Sequence, residues 1–267
     1  MGYESIVVEE TENIQIIRLN RPHTLNAWDG RMGVEVTEAL NDARANGDVK
    51  VVILTGNGRG FSSGADMGGL ASIAERSSSS GGRGLVNSGP GIVSVALQMR
   101  RLEKPVIGAI NGTTAGGGFG IALACDIRIA SDRAEFIQVF VRRGLVPDVG
   151  STFFLPKLIG TERALELMFT GDVIKAERAA EIGLVSRVVP HDDLMKESMD
   201  LARRIAGGPT VAMGLTKRAV YQGSVSSDLP GHLDLELTLN QLCFTTDDFK
   251  EGVTSFLEKR PPSFQGR

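Results

Sequence analysis

The stretch "KPVIGAINGTTAGGGFGIALACDIRIASD", residues 104–132, combines the patterns that decide the fold. Its apolar start predicts a buried strand that ends in a glycine-rich turn. The following "FGIALACDIRIASD" predicts a helix that leads into another strand. The stretch "VKVVILTGNG", residues 49–58, repeats the order of buried strand and turn. This recurrence favours a layered or spiral α/β core over a single open sheet.

The segments on either side extend this pattern. Residues 5–19 predict two strands hinged at Glu12 and Asn13, and a helix is expected from about Asp29 to Asn46. After residue 160 the pattern is almost wholly helical, which indicates a helical C-terminal portion. We predict a spiral core over residues 1–200 and a helical C-terminal region over residues 201–267. The serine- and glycine-rich stretch at residues 75–84 predicts either a flexible lid or a loop without function.

Composition excludes several classes of function. A net charge of -3 gives no basic face for nucleic acid and no polybasic patch for a membrane. The N-terminus has no charged-then-apolar leader and no window reaches the length of a membrane span, so we expect a cytoplasmic protein. Cys125 and Cys243 lack metal-ligand spacing, so we expect both to be reduced residues of the core. We also expect no bound metal.

Two glycine-rich loops are the first candidates for chemistry: "GNGRGFSSGAD", residues 56–66, and "NGTTAGGGFG", residues 111–120. Each follows a predicted strand and precedes helix-like sequence, so each can present free backbone N–H groups. Neither matches a phosphate loop or a dinucleotide fingerprint. One N–H from each loop can instead converge on a single carbonyl oxygen, which is how enzymes stabilise an oxyanion in acyl chemistry.

A third candidate is Asp148, the one acidic residue of "GLVPDVGSTFFLP", residues 144–156. An unpaired charge in apolar surroundings is costly unless it has a partner or a task. From the residues alone, we interpret Asp148 as the cap of a helix that starts at Ser151. A chemical task for this carboxylate depends on the rest of the chain.

Four motifs occur in an order and spacing that resemble the enoyl-CoA hydratase/isomerase (crotonase) superfamily: "NRPHTLNA", "LTGNGRGFSSGADM", "KPVIGAINGTTAGGGFGIALACDIRIAS" and "GLVPDVGSTFFLPKLIG". The resemblance runs from about residue 5 to the C-terminus. It implies an α/β crotonase-like spiral of ββα repeats with a helical C-terminal part, assembled as a homotrimer or a dimer of trimers. Residues 201–267 are expected to provide the trimer and CoA contacts. It also implies an acyl-CoA thioester substrate, with CoA as part of the substrate and no further cofactor.

The resemblance assigns roles to particular residues. Ala65 and Gly117 are the two expected backbone donors of the oxyanion hole. The two positions at which hydratases of the family carry glutamates hold Gly120 and Phe140, which cannot transfer protons. Asp148 occupies the turn where some members carry their only catalytic carboxylate, including the epoxide isomerases of phenylacetate degradation, which this chain resembles most, and a dehalogenase. The resemblance therefore implies a second interpretation of Asp148, as a general base whose apolar surroundings raise its pKa.

We therefore predict an acyl-CoA isomerase that shifts a double bond, or a ring-epoxide bond, next to a CoA thioester. The dehalogenase reaction needs a histidine in the middle segment, whereas His23, His191 and His232 lie elsewhere. Two other classes stay open: hydration or hydrolysis on the same scaffold, and a non-catalytic acyl-CoA-binding protein.

The resemblance also supplies expected substrate and CoA contacts, with an alternative for several of them. The expected contacts are Ser63, Asp66, Ala27, Gly116, Phe140, Phe256 and Lys259. Asp66 can instead accept backbone N–H bonds within its turn. Phe256 and Lys259 reach CoA from a neighbouring subunit, or form an ordinary helix face. Arg142 and Arg143 predict either an anion contact or surface ion pairs, and residues 75–90 are expected to cover the acyl end.

Overall fold

A computed structural model describes residues 2–80 and 91–267. The strands are β1 (Ile6–Thr11), β2 (Ile14–Leu19), β3 (Val51–Gly56), β4 (Gly60–Ser62), β5 (Val106–Ile110), β6 (Thr113–Ala115), β7 (Ile127–Ser131), β8 (Glu135–Ile137), β9 (Val173–Lys175) and β10 (Arg187–Val189). The helices are α1 (Gly30–Ala45), α2 (Met67–Ser80), α3 (Ile92–Arg101), α4 (Gly117–Ala124), α5 (Ser151–Ile159), α6 (Thr161–Thr170), α7 (Ala176–Glu181), α8 (Leu194–Ala206), α9 (Thr210–Gly223), α10 (Leu229–Phe244) and α11 (Asp247–Glu258).

The strands form two sheets. The larger has the order β1-β2-β3-β5-β7-β10, and the smaller has the order β4-β6-β8-β9. In the larger sheet only β1 and β2 are antiparallel. They form the predicted hairpin, in which Glu12 and Asn13 both take positive φ. A two-residue turn with this conformation matches the right-handed twist of the two strands that it connects.

The two sheets are linked by a repeated connection. Strands β3, β5 and β7 of the larger sheet each continue directly into β4, β6 and β8 of the smaller one, and a helix follows the first two pairs. Each repeat therefore adds one parallel strand to both sheets. This arrangement confirms the predicted α/β spiral of ββα repeats with C-terminal helices.

The central strands β3 and β5 of the larger sheet are buried on both faces, which explains their unbroken apolar sequences. On one face of β3, Val52 and Leu54 join the main core, whereas Val51 and Ile53 on the other face pack with side chains of α8. Helix α8 covers this second face, so it belongs to the core layers although residue 200 lies inside it. The division at residue 200 stays a prediction about the role of the C-terminal helices.

Three further expectations concern local structure. The almost wholly helical pattern after residue 160 also contains the short strands β9 and β10, one in each sheet. Residues 75–80 of the serine-rich stretch form the end of α2, and the proposed lid at residues 81–90 lies outside the described residues. None of the described helices combines the length and apolar character that a membrane span requires.

Candidate active site

The first donor loop is held by a short parallel bridge between Trp28 and Ala65. The Trp28 N–H donates to the Gly64 carbonyl at 2.7 Å, and the Asp66 N–H donates to the Trp28 carbonyl at 2.9 Å. These bonds use the residues on either side of Ala65, so the Ala65 N–H takes no part in the bridge. Within the described part of the chain, the Ala65 N–H donates no hydrogen bond to a backbone carbonyl. It is therefore available to a ligand.

The second donor lies at the start of α4. Gly117 is the first residue of this helix, and its N–H belongs to the group of first-turn donors that have no acceptor inside a helix. Gly116 precedes it with φ 52° and ψ -126°, a backbone conformation that side-chain-bearing residues avoid. The helix dipole adds a partial positive charge at this end. An oxyanion beside Gly117 would be stabilised by both effects.

The two donor loops lie against each other because Gly64 has no side chain. Its φ is 89°, and a methyl group at this position would lie 2.8 Å from the Ala115 carbonyl oxygen and 3.0 Å from the Gly117 nitrogen. Any side chain at residue 64 would force the loops apart. The absence of one therefore places the peptide before Ala65 next to the Gly117 N–H.

Asp148 lies beside this pair of donors. Its Oδ1 is 3.9 Å from the position that a methyl group on Gly117 would occupy. The capping interpretation is wrong: the cap of α5 is Gly150, without a side-chain hydrogen bond, and only the Asp148 backbone carbonyl accepts from the Ser151 N–H, at 2.9 Å. The Asp148 carboxylate therefore does not cap α5.

The surroundings of Asp148 favour its protonated form more than water does. The pKa of this carboxyl is raised, chiefly because the protein around it displaces water, and its own backbone N–H offsets part of the shift. Asp148 nevertheless remains exposed to solvent in this chain. Among the described residues no lysine, arginine or histidine forms an ion pair with it. The group is suited to exchange a proton with a bound ligand.

One cavity, which we call the donor cavity, contains both donors and the carboxylate. Its wall consists of Ser63, Ala65, Leu70, Ile92, Gly116, Gly117, Val139, Phe140, Arg143, Leu145 and Asp148. Six of these were expected from the sequence, and Arg143 was expected as one of two alternatives. Leu70, Ile92, Val139 and Leu145 were not, because they are apolar residues without a local motif.

The other expected contacts lie outside the donor cavity. Asp66 accepts from the Gly68 N–H at 2.9 Å and from Arg21 at 3.1 Å, and these two partners, with the Gly68 N–H first, lower its pKa. The Ala27 carbonyl accepts from Arg21 at 2.6 Å. Both residues thus support the loop that carries Ala65. Phe256, 81% exposed, and Lys259, the C-cap of α11, are outside the cavity, and their role across subunits stays a prediction.

Gly120 and Phe140, which stand at the two positions expected to hold glutamates in a hydratase, have different surroundings. A methyl group on Gly120 would lie 2.6 Å from Val149 Cβ and 2.7 Å from the Val149 carbonyl oxygen. Val149 is buried and has φ 52°, which is rare for a β-branched residue. Phe140 contributes its ring to the cavity wall. The space beside α4 is therefore filled by the turn that carries Asp148.

The two arginines before this turn differ. Arg142 donates to the Gly171 carbonyl at 2.7 Å, whereas Arg143 reaches the donor cavity and donates weakly to the Val139 carbonyl at 3.4 Å. The surface ion pairs that were one alternative for them do not occur among the described residues. Arg143 is thus the basic group of the cavity wall.

One other cluster has the composition of a catalytic triad. Ser131 Oγ lies 3.0 Å from His191 Nδ1, and Asp132 accepts from the His191 backbone N–H at 3.0 Å. Ser131 is completely buried, so its hydroxyl has no access to a substrate. We interpret the cluster as structural. Within the described ranges, no group of three or more His, Cys, Asp or Glu side chains could hold a metal ion.

Comparisons with known proteins concern the chain as a whole. A family model described as "Enoyl-CoA hydratase/isomerase" matches residues 9–267. A probable enoyl-CoA hydratase from Rhodobacter capsulatus is 40% identical over 268 residues, covering 100% of both chains. A 1,2-epoxyphenylacetyl-CoA isomerase from Escherichia coli is 34% identical over 274 residues, covering 99% of both. The crystal structure of enoyl-CoA hydratase subunit I from Geobacillus kaustophilus superposes with a TM-score of 0.89 at 37% identity, covering 99% of both chains.

Proposed function

The chain belongs to the enoyl-CoA hydratase/isomerase (crotonase) family of acyl-CoA enzymes, and from this premise we propose that it is an acyl-CoA isomerase with Asp148 as its base. The substrate is a CoA thioester with a double bond between carbons 3 and 4 of the acyl group. The product carries this bond between carbons 2 and 3. No water is consumed.

The proposed reaction has two proton transfers. The Asp148 carboxylate removes a proton from carbon 2, and the electrons of the broken C–H bond move toward the thioester oxygen to give an enolate. The N–H groups of Ala65 and Gly117 stabilise the negative oxygen. The protonated Asp148 then returns the proton to carbon 4, which bonds to it with the electrons of the former C3=C4 double bond. The thioester carbonyl re-forms, and the electrons of the enolate double bond move to form the new double bond between carbons 2 and 3. The base is thereby regenerated.

The observation that carries this proposal is the position of Asp148 beside the Gly117 donor. Its raised pKa supports the same role, because a base must also give its proton back. Asp148 is the single carboxylate in the described wall of the donor cavity. An isomerase needs one carboxylate for both transfers, whereas the hydratase mechanism of the family uses two.

The names of the relatives include hydratases as well as an isomerase. The choice between them rests on residues rather than names. Gly120 and Phe140 stand at the glutamate positions, and Val149 fills the space beside Gly120. The similarity to the 1,2-epoxyphenylacetyl-CoA isomerase favours a second candidate of the same class, a ring-epoxide isomerase that uses the same cavity.

We further propose a homotrimer or a dimer of trimers in which residues 201–267 provide subunit and CoA contacts. Support comes from the large apolar side chains that α11 exposes, above all Phe256 at 81% and Leu257 at 74%. An exposed apolar surface of this kind is typical of an interface. The cytoplasmic location stays a prediction.

The proposal is tested by following conversion of a straight-chain 3-enoyl-CoA by the full-length protein. We expect a 2-enoyl-CoA product from the unmodified protein and from Asp172→Asn, a control at an exposed aspartate outside the donor cavity. Asp148→Asn should bind the substrate and convert it at least about 100-fold more slowly, as expected for loss of a general base. Unchanged turnover in Asp148→Asn would contradict the proposed role.

A further inference from the structure

A second cavity, which we call the cationic cavity, lies at the opposite end of α4 from Gly117. It has an accessible volume of about 230 Å³ and is bounded by α3, α5, α9 and the segment after α4. The side chains that matter here are Arg100, Asp126, Arg128, Phe154, Lys157 and Tyr221. It shares no lining residue with the donor cavity. The eight residues of α4 separate the two by about 12 Å.

The carboxylate of this cavity is already engaged. Asp126 Oδ2 lies 2.7 Å from Lys217 Nζ and accepts from the Val106 N–H at 2.7 Å. The Tyr221 hydroxyl donates to Oδ1. Burial raises the pKa of the nearby Cys125 thiol to about 12, so the thiol is neutral near pH 7. Asp126 is therefore paired with Lys217, and its charge also acts on Arg128, but among the described residues it forms no ion pair with Arg100, Arg128 or Lys157.

Three cations face the cavity without an acidic partner among the described residues. Arg128, 9% exposed, donates to the carbonyls of Leu184 at 2.8 Å and Cys125 at 2.7 Å. Lys157 donates to the Ser224 carbonyl at 2.8 Å. Carbonyl oxygens satisfy these donors but carry no full negative charge, and a buried cation is stable only when it is well compensated. The wall thus has an excess of positive charge.

Arg100 is the group best placed to bind an anion. Its guanidinium is stacked between the rings of Phe154, at 4.2 Å, and Tyr221, at 3.9 Å, which fixes its plane. Its buried Nε–H has no hydrogen-bond acceptor in the described structure. Its Nη2–H donates to the Leu123 carbonyl at a long 3.5 Å, and the Tyr221 hydroxyl also accepts from the guanidinium. The planar guanidinium is the side-chain group whose N–H donors best match the geometry of a carboxylate.

We propose that the cationic cavity binds a small carboxylate with an apolar body. The carboxylate pairs with Arg100 and Lys157, and the apolar body packs on Phe153, Leu158 and Val220, which supply most of the remaining wall. This site is separate from the donor cavity and does not depend on the proposed isomerase reaction. Nothing in the isomerase mechanism uses these residues.

The test is calorimetric titration of the full-length protein with benzoate at constant ionic strength. Benzamide, which has the same shape without the charge, should bind at least about tenfold more weakly, the loss expected when a charged hydrogen bond is removed. Arg100→Gln should weaken benzoate binding to a similar extent. Arg101→Gln, at an exposed neighbour outside the cavity, is the matched control and should leave binding unchanged.

A second variant keeps the test decisive if Arg100→Gln fails to fold. Lys157 is exposed at the cavity mouth, and Lys157→Gln should also weaken benzoate binding. Absence of benzoate binding, equal binding of benzamide, or unchanged binding in both variants would overturn the proposal. Phosphate binding tighter than benzoate would overturn it too, because it would assign the cavity to a phosphate group. All these readouts are independent of turnover.

Discussion

Gly120→Ala is the most informative substitution for the relation between α4 and the Asp148 turn. The added methyl group would lie 2.6 Å from Val149 Cβ and 2.7 Å from the Val149 carbonyl oxygen, whereas ordinary contact begins at 3.4 Å. The turn must move by roughly 0.8 Å to relieve this contact, because a backbone atom cannot rotate away. Overpacking of this kind costs about 1–3 kcal/mol. Because the contact involves a backbone atom, we take the upper part of this range, about 2–3 kcal/mol. Alanine favours a helix over glycine by about 1 kcal/mol, so we expect a net loss of roughly 1–2 kcal/mol.

The same displacement should reduce catalysis. Asp148 is the residue before Val149, so its carboxylate moves with the turn. A misplacement of about 1 Å at a reacting group can lower a rate about 100-fold. We therefore expect kcat to fall between about 10- and 100-fold in Gly120→Ala. Gly120→Glu should lower it further and should not introduce hydratase activity, since the space for the glutamate is occupied by Val149.

Thermal unfolding and steady-state isomerase kinetics measure these effects. A loss of about 1–2 kcal/mol corresponds to a Tm decrease of roughly 2–8 °C for a chain of this size. Gly30→Ala is the matched control, since a methyl group there meets nothing within 4 Å, and it should leave both quantities nearly unchanged. Gly120→Ala with an unchanged Tm and unchanged kcat would refute the reasoning. So would hydratase activity in Gly120→Glu.

Three further predictions concern the base, the donors and the interface. Because burial raises the pKa of Asp148, kcat/KM should fall as pH decreases through that raised value, and Asp148→Asn should abolish this limb. The raised pKa also means that the charged form costs stability above it and that the cost disappears at lower pH, so Asp148→Asn should keep or increase Tm near pH 7. Gly64→Ala, whose methyl group would lie 2.8 Å from the Ala115 carbonyl oxygen, should separate the donor loops and lower kcat by about 100-fold, measured with the same assay. Replacing Phe256 and Leu257 by serine should shift the oligomer toward smaller species in light scattering, with folding checked by circular dichroism.

Features set by local chemistry could be predicted from the sequence. The hairpin at Glu12 and Asn13 needs only its two-residue turn, and α1 begins after Asp29, which accepts from the Met32 N–H as an N-cap. Ala65 and Gly117 could be identified because a glycine-rich turn at a strand end exposes backbone N–H groups wherever the rest of the chain lies.

Features set by distant segments could not be predicted in the same way. Strands β9 and β10 have three residues each and are strands only because β8 and β7 pair with them. The sequence shows that Gly120 is not a glutamate, but not that Val149 packs against it, since the two are 29 positions apart. The helix-capping alternative for Asp148 likewise depended on the direction of one side chain.

The proposed isomerisation is tested most directly by the mass of its product. The full-length protein is incubated with a straight-chain 3-enoyl-CoA in heavy water that contains heavy oxygen, beside Asp148→Asn. We expect a shifted double bond and no heavy oxygen in the product, with deuterium wherever the protonated Asp148 exchanges with solvent before it returns the proton. Asp148→Asn should lose the double-bond shift and any deuterium uptake. Heavy oxygen in the product of the unmodified protein would contradict the isomerase account and assign hydration or hydrolysis instead.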